Sequence, residues 1–261
     1  MSPTGQEALR RSVPSLARLP RPVHGRVEAL ARGSWTRPHR HRWAQLSYAI
    51  EGVLHVRAQA GSFLAPPHRA IWVPPGVEHA VLTSERAQMR SLYIDAARAP
   101  WPEPRCRVLE VSPLARELIR AAAELPARYD ERGADGRLAE VLLDQIAAMR
   151  EVALSLPLPV DPRLSEMSRA LLASPDDRRS MGAWARLVGM SERTLARLLR
   201  RETGLSFREW RTRLRLLLSI ERLGGGASVT AVALDSGYDS VSAFIAAFRR
   251  CFGKTPGDFL R

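Results

Sequence analysis

Long hydrophobic runs are missing from this 261-residue chain. The longest unbroken apolar stretches are only a few residues, as at residues 216–218, whereas a membrane-spanning helix needs about 18 or more. The start of the chain also lacks the apolar segment of a secretory signal. These absences exclude an integral membrane protein, argue against a membrane partner and predict a cytoplasmic location.

Cysteine is scarce as well. The chain has two, Cys106 and Cys251, and they lie far apart in the sequence. A chain of this length does not need a disulfide to hold its core, and no close pair of cysteines indicates a redox motif or a zinc site. The cysteine content therefore favours a reducing compartment.

Lysine is almost absent, although the chain is strongly basic. Lys254 is the single lysine among 40 basic residues, and 27 acidic residues leave a net charge of +13. Such a balance favours a polyanionic partner, most often nucleic acid. The arginine excess is also typical of a coding bias, and residues 1–160 and 161–261 are both basic. Charge alone therefore does not locate a binding surface.

The sequence pattern of the first half of the chain is typical of a small β-barrel. Residues 1–32 read as a flexible tail, because several prolines interrupt any helix there. Residues 33–110 consist of short alternating runs broken by glycine and proline, which is typical of a barrel or a sandwich. Within them, the alternation predicts a hairpin over residues 45–57 and a strand over residues 70–73.

The pattern then changes to a helical period. Ser112 followed by Pro113 is typical of a helix start, and a second helix is predicted over residues 136–154. The first helix carries an apolar stripe made of Leu114, Leu118, Ile119 and Leu125. The helical region 111–155 either covers the barrel or forms a dimer seam, and the pattern leaves both open. Residues 156–162 contain three prolines and are predicted to be a linker.

The sequence pattern predicts helices throughout residues 163–261. Ala185, Gly189 and Leu195 have the spacing of a helix-turn-helix, and Ser191 is placed to cap its second helix. On the helical wheel, leucines point to one side and four arginines to the other, namely Arg193, Arg197, Arg200 and Arg201. Such a face fits the DNA major groove, where arginine reads guanine edges and neutralises phosphates. By itself it is also compatible with a solvated basic face.

The same pattern recurs further along the chain. Ala233 and Gly237 begin a second unit, and Ser240 is placed to cap its second helix. Between the two units, Ser206 and Glu209 form a capping box that opens a long helix. Two helix-turn-helix units joined by one rigid helix indicate DNA binding far more specifically than either unit alone.

Residues 180–261 resemble the DNA-binding domain of the AraC/XylS family of bacterial transcription regulators. The matching segments include residues 185–191, residues 200–207 and the closing Phe248-x4-Gly253-x-x-Pro256. The resemblance implies sequence-specific binding to double-stranded promoter DNA, with recognition helices in successive major grooves about 34 Å apart. It also implies a bacterial cytoplasmic protein associated with the nucleoid.

The resemblance assigns roles to individual side chains of the two recognition helices. It implies base reading by Arg193 and Arg197 in the first unit and by Ser242 in the second. Ala246 stands where the family commonly has arginine, and Ile245 stands where a small polar residue is usual. The second helix is therefore expected to clamp phosphates more than it reads bases. The expected phosphate contacts are Arg200, Arg201, Arg249, Arg250, Ser191 and Ser240.

A second specific spacing lies in the first half. It reads Gly33-x5-His39-x-His41-x3-Gln45-x6-Gly52, followed by Pro74-x-Gly76-x-x-His79. Residues two apart in a strand share a face, so His39 and His41 are expected to point into the barrel, with Gln45 at the same parity. The two spacings resemble the two motifs of the cupin fold, with Gln45 where a glutamate ligand is usual. His68 stands where that fold expects glycine, and Thr83 where asparagine is usual.

The cupin resemblance implies a site made of His39, His41, Gln45 and His79. Three imidazoles and one oxygen suit a divalent transition metal such as Zn, Ni, Fe or Mn. Because Gln45 is neutral, binding is expected to be weaker than with a glutamate. The alternative is a metal-free effector pocket lined by the same residues.

The expected architecture is a two-domain α+β protein. A cupin β-barrel with covering helices precedes an all-α domain with two helix-turn-helix units joined by a long helix. The family resemblance implies a homodimeric switch that senses a small-molecule effector, is not an enzyme, and contacts RNA polymerase if it is an activator. Two competing functions are a cupin metalloenzyme, dioxygenase- or isomerase-like, with a DNA-binding appendage, and a nonspecific architectural DNA binder.

Overall fold

The computed structural model describes residues 10–13, 16–31, 33–66, 68–83, 87–152 and 154–259. The chain divides into two compact units. The first contains residues 1–59 and 63–154, and the second contains residues 60–62 and 155–261. Within the described ranges, no helix has the length and apolar character that crossing a membrane requires.

The first unit is built from two sheets. Its strands are β1 (Arg10–Arg11), β2 (Val23–Leu30), β3 (Trp35–Thr36), β4 (Ala44–Glu51), β5 (Leu54–Ala58), β6 (Gly61–Ala65), β7 (Arg69–Val73), β8 (His79–Leu82), β9 (Ala87–Ile94) and β10 (Arg107–Glu110). One sheet has the order β1-β3-β8-β5-β6 in this unit, and the other has the order β10-β7-β4-β9-β2. The pairing of β1 with β3 is parallel, whereas β4 pairs antiparallel with both β7 and β9. This sheet-rich first unit confirms the expected fold class.

Alternation along the second sheet separates a core face from a polar face. Leu46, Tyr48 and Trp72 belong to a buried apolar cluster, which they share with helices α1 (Pro113–Ala123) and α2 (Ala134–Ala147). The neighbouring positions Gln45 and Ser47 carry buried polar side chains instead. Because successive side chains of a strand point to opposite faces, the helices cover one face, and Gln45 and Ser47 lie on the other.

The two covering helices differ in detail from the sequence expectation. Ser112 does cap α1, since its hydroxyl accepts a hydrogen bond from Ala115 N at 3.2 Å. Leu114, however, is 56% exposed and lies outside the buried stripe. The buried side chains of α1 are Ala115, Ile119, Ala122 and Ala123. Small residues therefore form most of the contact face, which brings the helix close to the sheet.

The helix predicted over residues 136–154 is shorter than expected, because α2 ends at Ala147. Beyond it, Glu110 N donates to Arg150 O at 2.9 Å, and Val152 N donates to Val108 O at 2.8 Å. Residues 150–152 therefore run beside β10. Sheet pairing satisfies the backbone there, so the helical spacing of the side chains does not decide the conformation.

The tail predicted for residues 1–32 is wrong over its last third. Residues Val23–Leu30 form β2, which pairs antiparallel with β9 along its whole length, from Val23 with Ile94 to Leu30 with Ala87. Its polar side chains alternate with Val23, Gly25 and Val27. That alternation is a strand signal, which the surrounding prolines and arginines obscured.

The hairpin predicted over residues 45–57 is also wrong, although both strands form. The two strands, β4 and β5, belong to different sheets. Gly52 lies between them with φ of +79°, so the chain turns there from one sheet to the other. Alternation of side chains is the same for a hairpin and for a barrel corner, which is why the sequence did not separate the two.

Over the described residues 155–259, the second unit is helical apart from one short strand. Its elements are β11 (Ser155–Pro157), α3 (Pro162–Ala173), α4 (Met181–Leu187), α5 (Glu192–Thr203), α6 (Phe207–Gly224), α7 (Val229–Asp235), α8 (Val241–Phe252) and α9 (Pro256–Phe259). The predicted capping box is present on α6: Ser206 Oγ accepts from Glu209 N, and Ser206 N donates to Glu209 Oε2 at 2.8 Å. The expected pair of helix-turn-helix units, α4 with α5 and α7 with α8, is joined by α6.

The predicted linker 156–162 is not a free segment. Its first two residues belong to β11, and Pro162 opens α3. Prolines are compatible with an edge strand and with a first helical turn, which explains this difference. Trp210 Nε1 donates to Pro157 O at 2.8 Å, so the segment is fixed to α6.

Candidate functional site

Three histidines of the first unit come together near the start of β8. His39 and His79 exchange two main-chain hydrogen bonds, of 3.0 and 2.9 Å, and Gly76 N donates to His41 O at 2.8 Å. These bonds tie the loop before β4 to the turn before β8. As a result, one ring nitrogen from each of His39, His41 and His79 lies within 4.8 Å of the others.

The hydrogen bonds of the three rings select one tautomer. Each Nδ1 lies close to a main-chain carbonyl two residues away: Arg37 O at 2.9 Å, Trp43 O at 2.7 Å and Val77 O at 3.0 Å. A carbonyl only accepts, so each Nδ1 carries the proton and donates it. Each Nε2 therefore presents a lone pair, as metal-binding histidines commonly do.

Gln45 completes the group from β4. Its Oε1 lies 3.1 Å from His41 Nε2 and 3.3 Å from His79 Nε2. Its amide nitrogen donates to Ser47 Oγ at 2.9 Å, which turns the oxygen toward the imidazoles. The lone pairs of His41 Nε2, His79 Nε2 and Gln45 Oε1 thus lie close together, an arrangement that a cation would stabilise.

Burial keeps the three rings neutral. Loss of hydration lowers the pKa of His39 and His41, and it lowers the pKa of His79 to about 3. Neutral imidazole is the form that binds metals, so no proton has to leave at neutral pH. The site therefore fits a divalent transition metal by its donors, their tautomers and their protonation.

One departure from the cupin pattern has a direct structural counterpart. His68 stands where the pattern expects glycine, and its φ is +64°. This left-handed conformation costs little for glycine and more for a side chain with a Cβ. His68 thus adopts a conformation that glycine would adopt more readily.

A cavity of about 240 Å³, counted with the open solvent at its mouth, adjoins the histidine group. His39 and Gln45 line it, together with Arg11, Arg26 and Glu28. Sequence reasoning missed these last three residues because they lie in the predicted tail. Arg26 and Glu28 could have been found from their spacing, which puts both on one face of β2.

The first recognition helix, α5, has two distinct faces. Leu195, Leu198 and Leu199 are buried. Its arginines are exposed, namely Arg193, Arg197, Arg200 and Arg201. Ser191 caps the helix by accepting from Thr194 N at 3.2 Å, and Gly204 ends it with φ of +74°. The structure therefore brings the predicted contact residues to one exposed face, while their roles on DNA remain predictions.

The second recognition helix, α8, presents a different surface. Phe244 and Phe248 are buried as anchors. The exposed positions are Ser242, Ala243, Ala246, Arg249 and Arg250. Ser240 caps the helix by accepting from Ala243 N at 3.1 Å. Small side chains thus occupy its first turns, and its cations lie in the last turn.

Two further side chains order this unit, and sequence reasoning gave neither a role. The Arg215 guanidinium donates to the carbonyls of Pro175 at 2.7 Å, Asp177 at 2.9 Å and Gly237 at 3.3 Å. Glu202 of α5 accepts from Val160 N at 2.8 Å and from Asp161 N at 3.0 Å. The predicted linker is therefore bonded directly to the first recognition helix.

Comparison with known proteins agrees with both units. Residues 24–147 match the AraC-like ligand binding domain, and residues 184–261 match the Helix-turn-helix domain. The HTH-type transcriptional regulator NimR of Escherichia coli (strain K12) is 36% identical over 222 residues, which are 85% of this chain and 81% of NimR. The arabinose operon regulatory protein of Escherichia coli (strain K12) is 25% identical over 240 residues, 82% of this chain and 79% of that protein. The ToxT structure from Vibrio cholerae covers 92% of this chain and 98% of its own, with 12% identity and a TM-score of 0.40.

A ligand-binding domain and a helix-turn-helix domain in one chain define a DNA-binding transcription regulator that carries its own sensor. The chain belongs to the AraC/XylS family of these regulators, since it matches NimR over most of both proteins.

Proposed function

We propose that this regulator binds promoter DNA by inserting α5 and α8 into successive major grooves. The observation that carries the proposal is the exposed four-arginine face of α5, which stands opposite its three buried leucines. In a major groove, Arg193 and Arg197 would read guanine edges, and Arg200 and Arg201 would reach phosphates. On α8, Ser242 would be the base reader, with Arg249 and Arg250 on the backbone.

Selection of binding sites from random duplexes tests this proposal. The expected product is a motif of two blocks whose centres lie about 10 bp apart, with guanines more strongly selected in one block. That block is assigned to α5, because α8 exposes Ala246 where the family commonly has an arginine. Recovery of duplexes that share no sequence motif would contradict the proposal and favour a nonspecific architectural binder.

The second part of the proposed function is a metal in the sensor domain, held by His39, His41, His79 and Gln45. The support is that the imidazole lone pairs and the Gln45 oxygen converge while every Nδ1 is bonded to a carbonyl. The metal would supply a positive charge at the edge of the cavity. Borderline ions that accept imidazole, such as Zn and Ni, suit this neutral set better than hard ions.

Metal content of untagged protein, measured by elemental analysis after dialysis, tests the metal site. About one equivalent of a transition metal per chain is expected, with loss of that metal in His41→Ala. An equal content in wild type and His41→Ala would place the metal elsewhere. Protein without metal that also binds none on addition would favour the metal-free effector pocket.

We further infer a homodimer built through the covering helices. Leu114 on α1 and Val141 on α2 are large apolar side chains, 56% and 45% exposed. A second copy of the chain would bury them and double the number of DNA contacts. Sedimentation of wild type against Leu114→Glu tests this: a dimer is expected for wild type, and a dimer of unchanged stability in the variant would contradict the inference.

A further inference from the structure

The cavity beside the histidine group carries an unusual charge arrangement. The guanidinium groups of Arg11 and Arg26 both contact the same oxygen, Oε1 of Glu28, the Arg26 contact at 3.1 Å. The three side chains are largely buried, with 14%, 33% and 9% of their area exposed. Two cations therefore share one carboxylate in a cavity whose histidines are neutral, and among the described residues that line it no second carboxylate balances the other positive charge.

Two polar atoms of the same cavity lack partners. Within the described part of the chain, Glu28 Oε2 and Ser91 Oγ are buried without a hydrogen bond. Glu28 and Ser91 both line the cavity, on the adjacent strands β2 and β9. A buried polar group without a partner is costly, so these atoms point to a ligand that supplies what is missing. Glu28 Oε2 requires a donor, and Ser91 Oγ can donate or accept.

We propose that the cavity binds a small organic monocarboxylate that also carries a hydroxyl or amino group. The ligand carboxylate would accept from the remaining N–H groups of Arg11 and Arg26 and would balance the extra charge. Its hydroxyl or amino group would donate to Glu28 Oε2, with Ser91 Oγ nearby. The proposal rests on the sensor role of this domain and names the chemical class of its effector.

The space of about 240 Å³ includes open solvent at the mouth of the cavity, so the enclosed part is much smaller. The ligand would therefore lie in the opening, and only its carboxylate and its hydroxyl or amino group would reach the cavity side chains.

Three matched probes test this class on the full-length protein. Lactate carries both groups, propionate lacks the hydroxyl, and lactamide replaces the carboxylate by a neutral amide. Thermal unfolding is followed with each probe at equal concentration and constant ionic strength, because a ligand of the native state raises Tm according to its affinity. Lactate is expected to raise Tm most, and lactamide is expected to bind about tenfold more weakly. Equal effects of lactate and lactamide would overturn the proposal.

Two variants and one control assign the effect to these residues. Arg26→Gln should abolish the preference for lactate over lactamide, whereas Arg57→Gln, at an exposed position of β5, should leave it unchanged. If the Arg26→Gln variant does not fold, the Glu28→Gln variant tests the proposal instead. It removes the competing carboxylate, so it should strengthen lactate binding and reduce the advantage of lactate over propionate. Lactate that has no effect on either wild type or Glu28→Gln would overturn the proposal.

Site-specific DNA binding by the same preparations separates this proposal from the proposed function. If the probes have no such effect but the protein still binds DNA at a defined site, only the proposed chemical class of the effector is wrong. Loss of defined DNA binding in the wild type would instead count against the regulator mechanism itself.

Discussion

The side-chain oxygen of Gln45 faces Nε2 of His41 at 3.1 Å, while Nδ1 of that histidine lies 2.7 Å from the carbonyl of Trp43. With its proton on Nδ1, His41 presents a lone pair to an oxygen that also carries lone pairs. Two acceptors at this distance repel each other unless a cation lies between them. A metal held by His41 and Gln45, as proposed, would lie between these two atoms.

Restoring the usual carboxylate at this position should strengthen the metal site. Gln45→Glu adds a negative charge to a ligand set that is otherwise neutral, so the affinity for a divalent ion should rise, by about tenfold or more. Titration calorimetry with Zn or Ni checks this on metal-stripped protein. Gln45→Leu serves as the control and should bind more weakly than wild type. Identical affinities in all three proteins would mean that residue 45 is not a ligand.

Truncation of a base-reading arginine should cost both affinity and specificity. Arg193→Ala or Arg197→Ala is expected to cost about 1–3 kcal/mol on the preferred site and to relax base preference within one block. Arg169→Ala on α3, another exposed arginine of the same unit, is the matched control and should have little effect. Anisotropy titrations on specific and random duplexes measure both quantities. A loss of affinity of equal size on both duplexes would show that the substituted arginine does not read bases.

The arginines at the end of α8 should behave differently. Arg249 is expected to contact a phosphate, so Arg249→Ala should weaken binding to all duplexes alike. The slope of log K against log salt should also become shallower by about one unit, since one fewer counterion is released. An unchanged slope in titrations over a range of salt concentrations would show that Arg249 does not reach the DNA backbone.

Glu202 should hold the segment before α3 against the first recognition helix. Its carboxylate accepts from two successive main-chain N–H groups, and the bond from Asp161 lowers the pKa of Glu202. Glu202→Ala should therefore speed hydrogen exchange at Val160 and Asp161 by about tenfold, whereas Glu202→Gln keeps an acceptor and much of the protection. Exchange measured by mass spectrometry checks this. Unchanged exchange in Glu202→Ala would mean that other contacts fix the segment.

His55 should make the protein less stable as the pH falls. Burial lowers its pKa to about 3, from an ordinary value of 6.5. Between these values the unfolded chain binds a proton that the folded chain does not, so the free energy of unfolding falls with decreasing pH. The loss attributable to one such group is about 1.4 kcal/mol per pH unit below pH 6.5. Urea unfolding between pH 5 and 7 should show a shallower dependence for His55→Gln, and equal slopes would contradict the assignment.

Local features of the fold were predictable because their physical cause is local. The cap at Ser112 and the capping box of Ser206 with Glu209 require only side chains within three residues of each other. The spacing of His39, His41 and His79 could be interpreted only through its resemblance to a known pattern.

Features that depend on distant partners could not be predicted in the same way. Arg11 meets Glu28 across 17 residues of sequence, and no periodicity links the two. Pairing of residues 150–152 with β10 overrides a helical pattern of side chains, because the strand satisfies the main-chain hydrogen bonds of these residues. The cavity depends on the pairing of β2 with β9, which the sequence pattern does not indicate.

A DNase footprint of the full-length protein on the DNA upstream of its own gene tests the central claim most directly. A discrete protected stretch of about two helical turns per monomer is expected. EDTA is expected to change the protection, and an unrelated duplex is expected to show none. Protection spread evenly over both duplexes, with or without EDTA, would contradict a regulator that reads sequence under the control of its sensor domain.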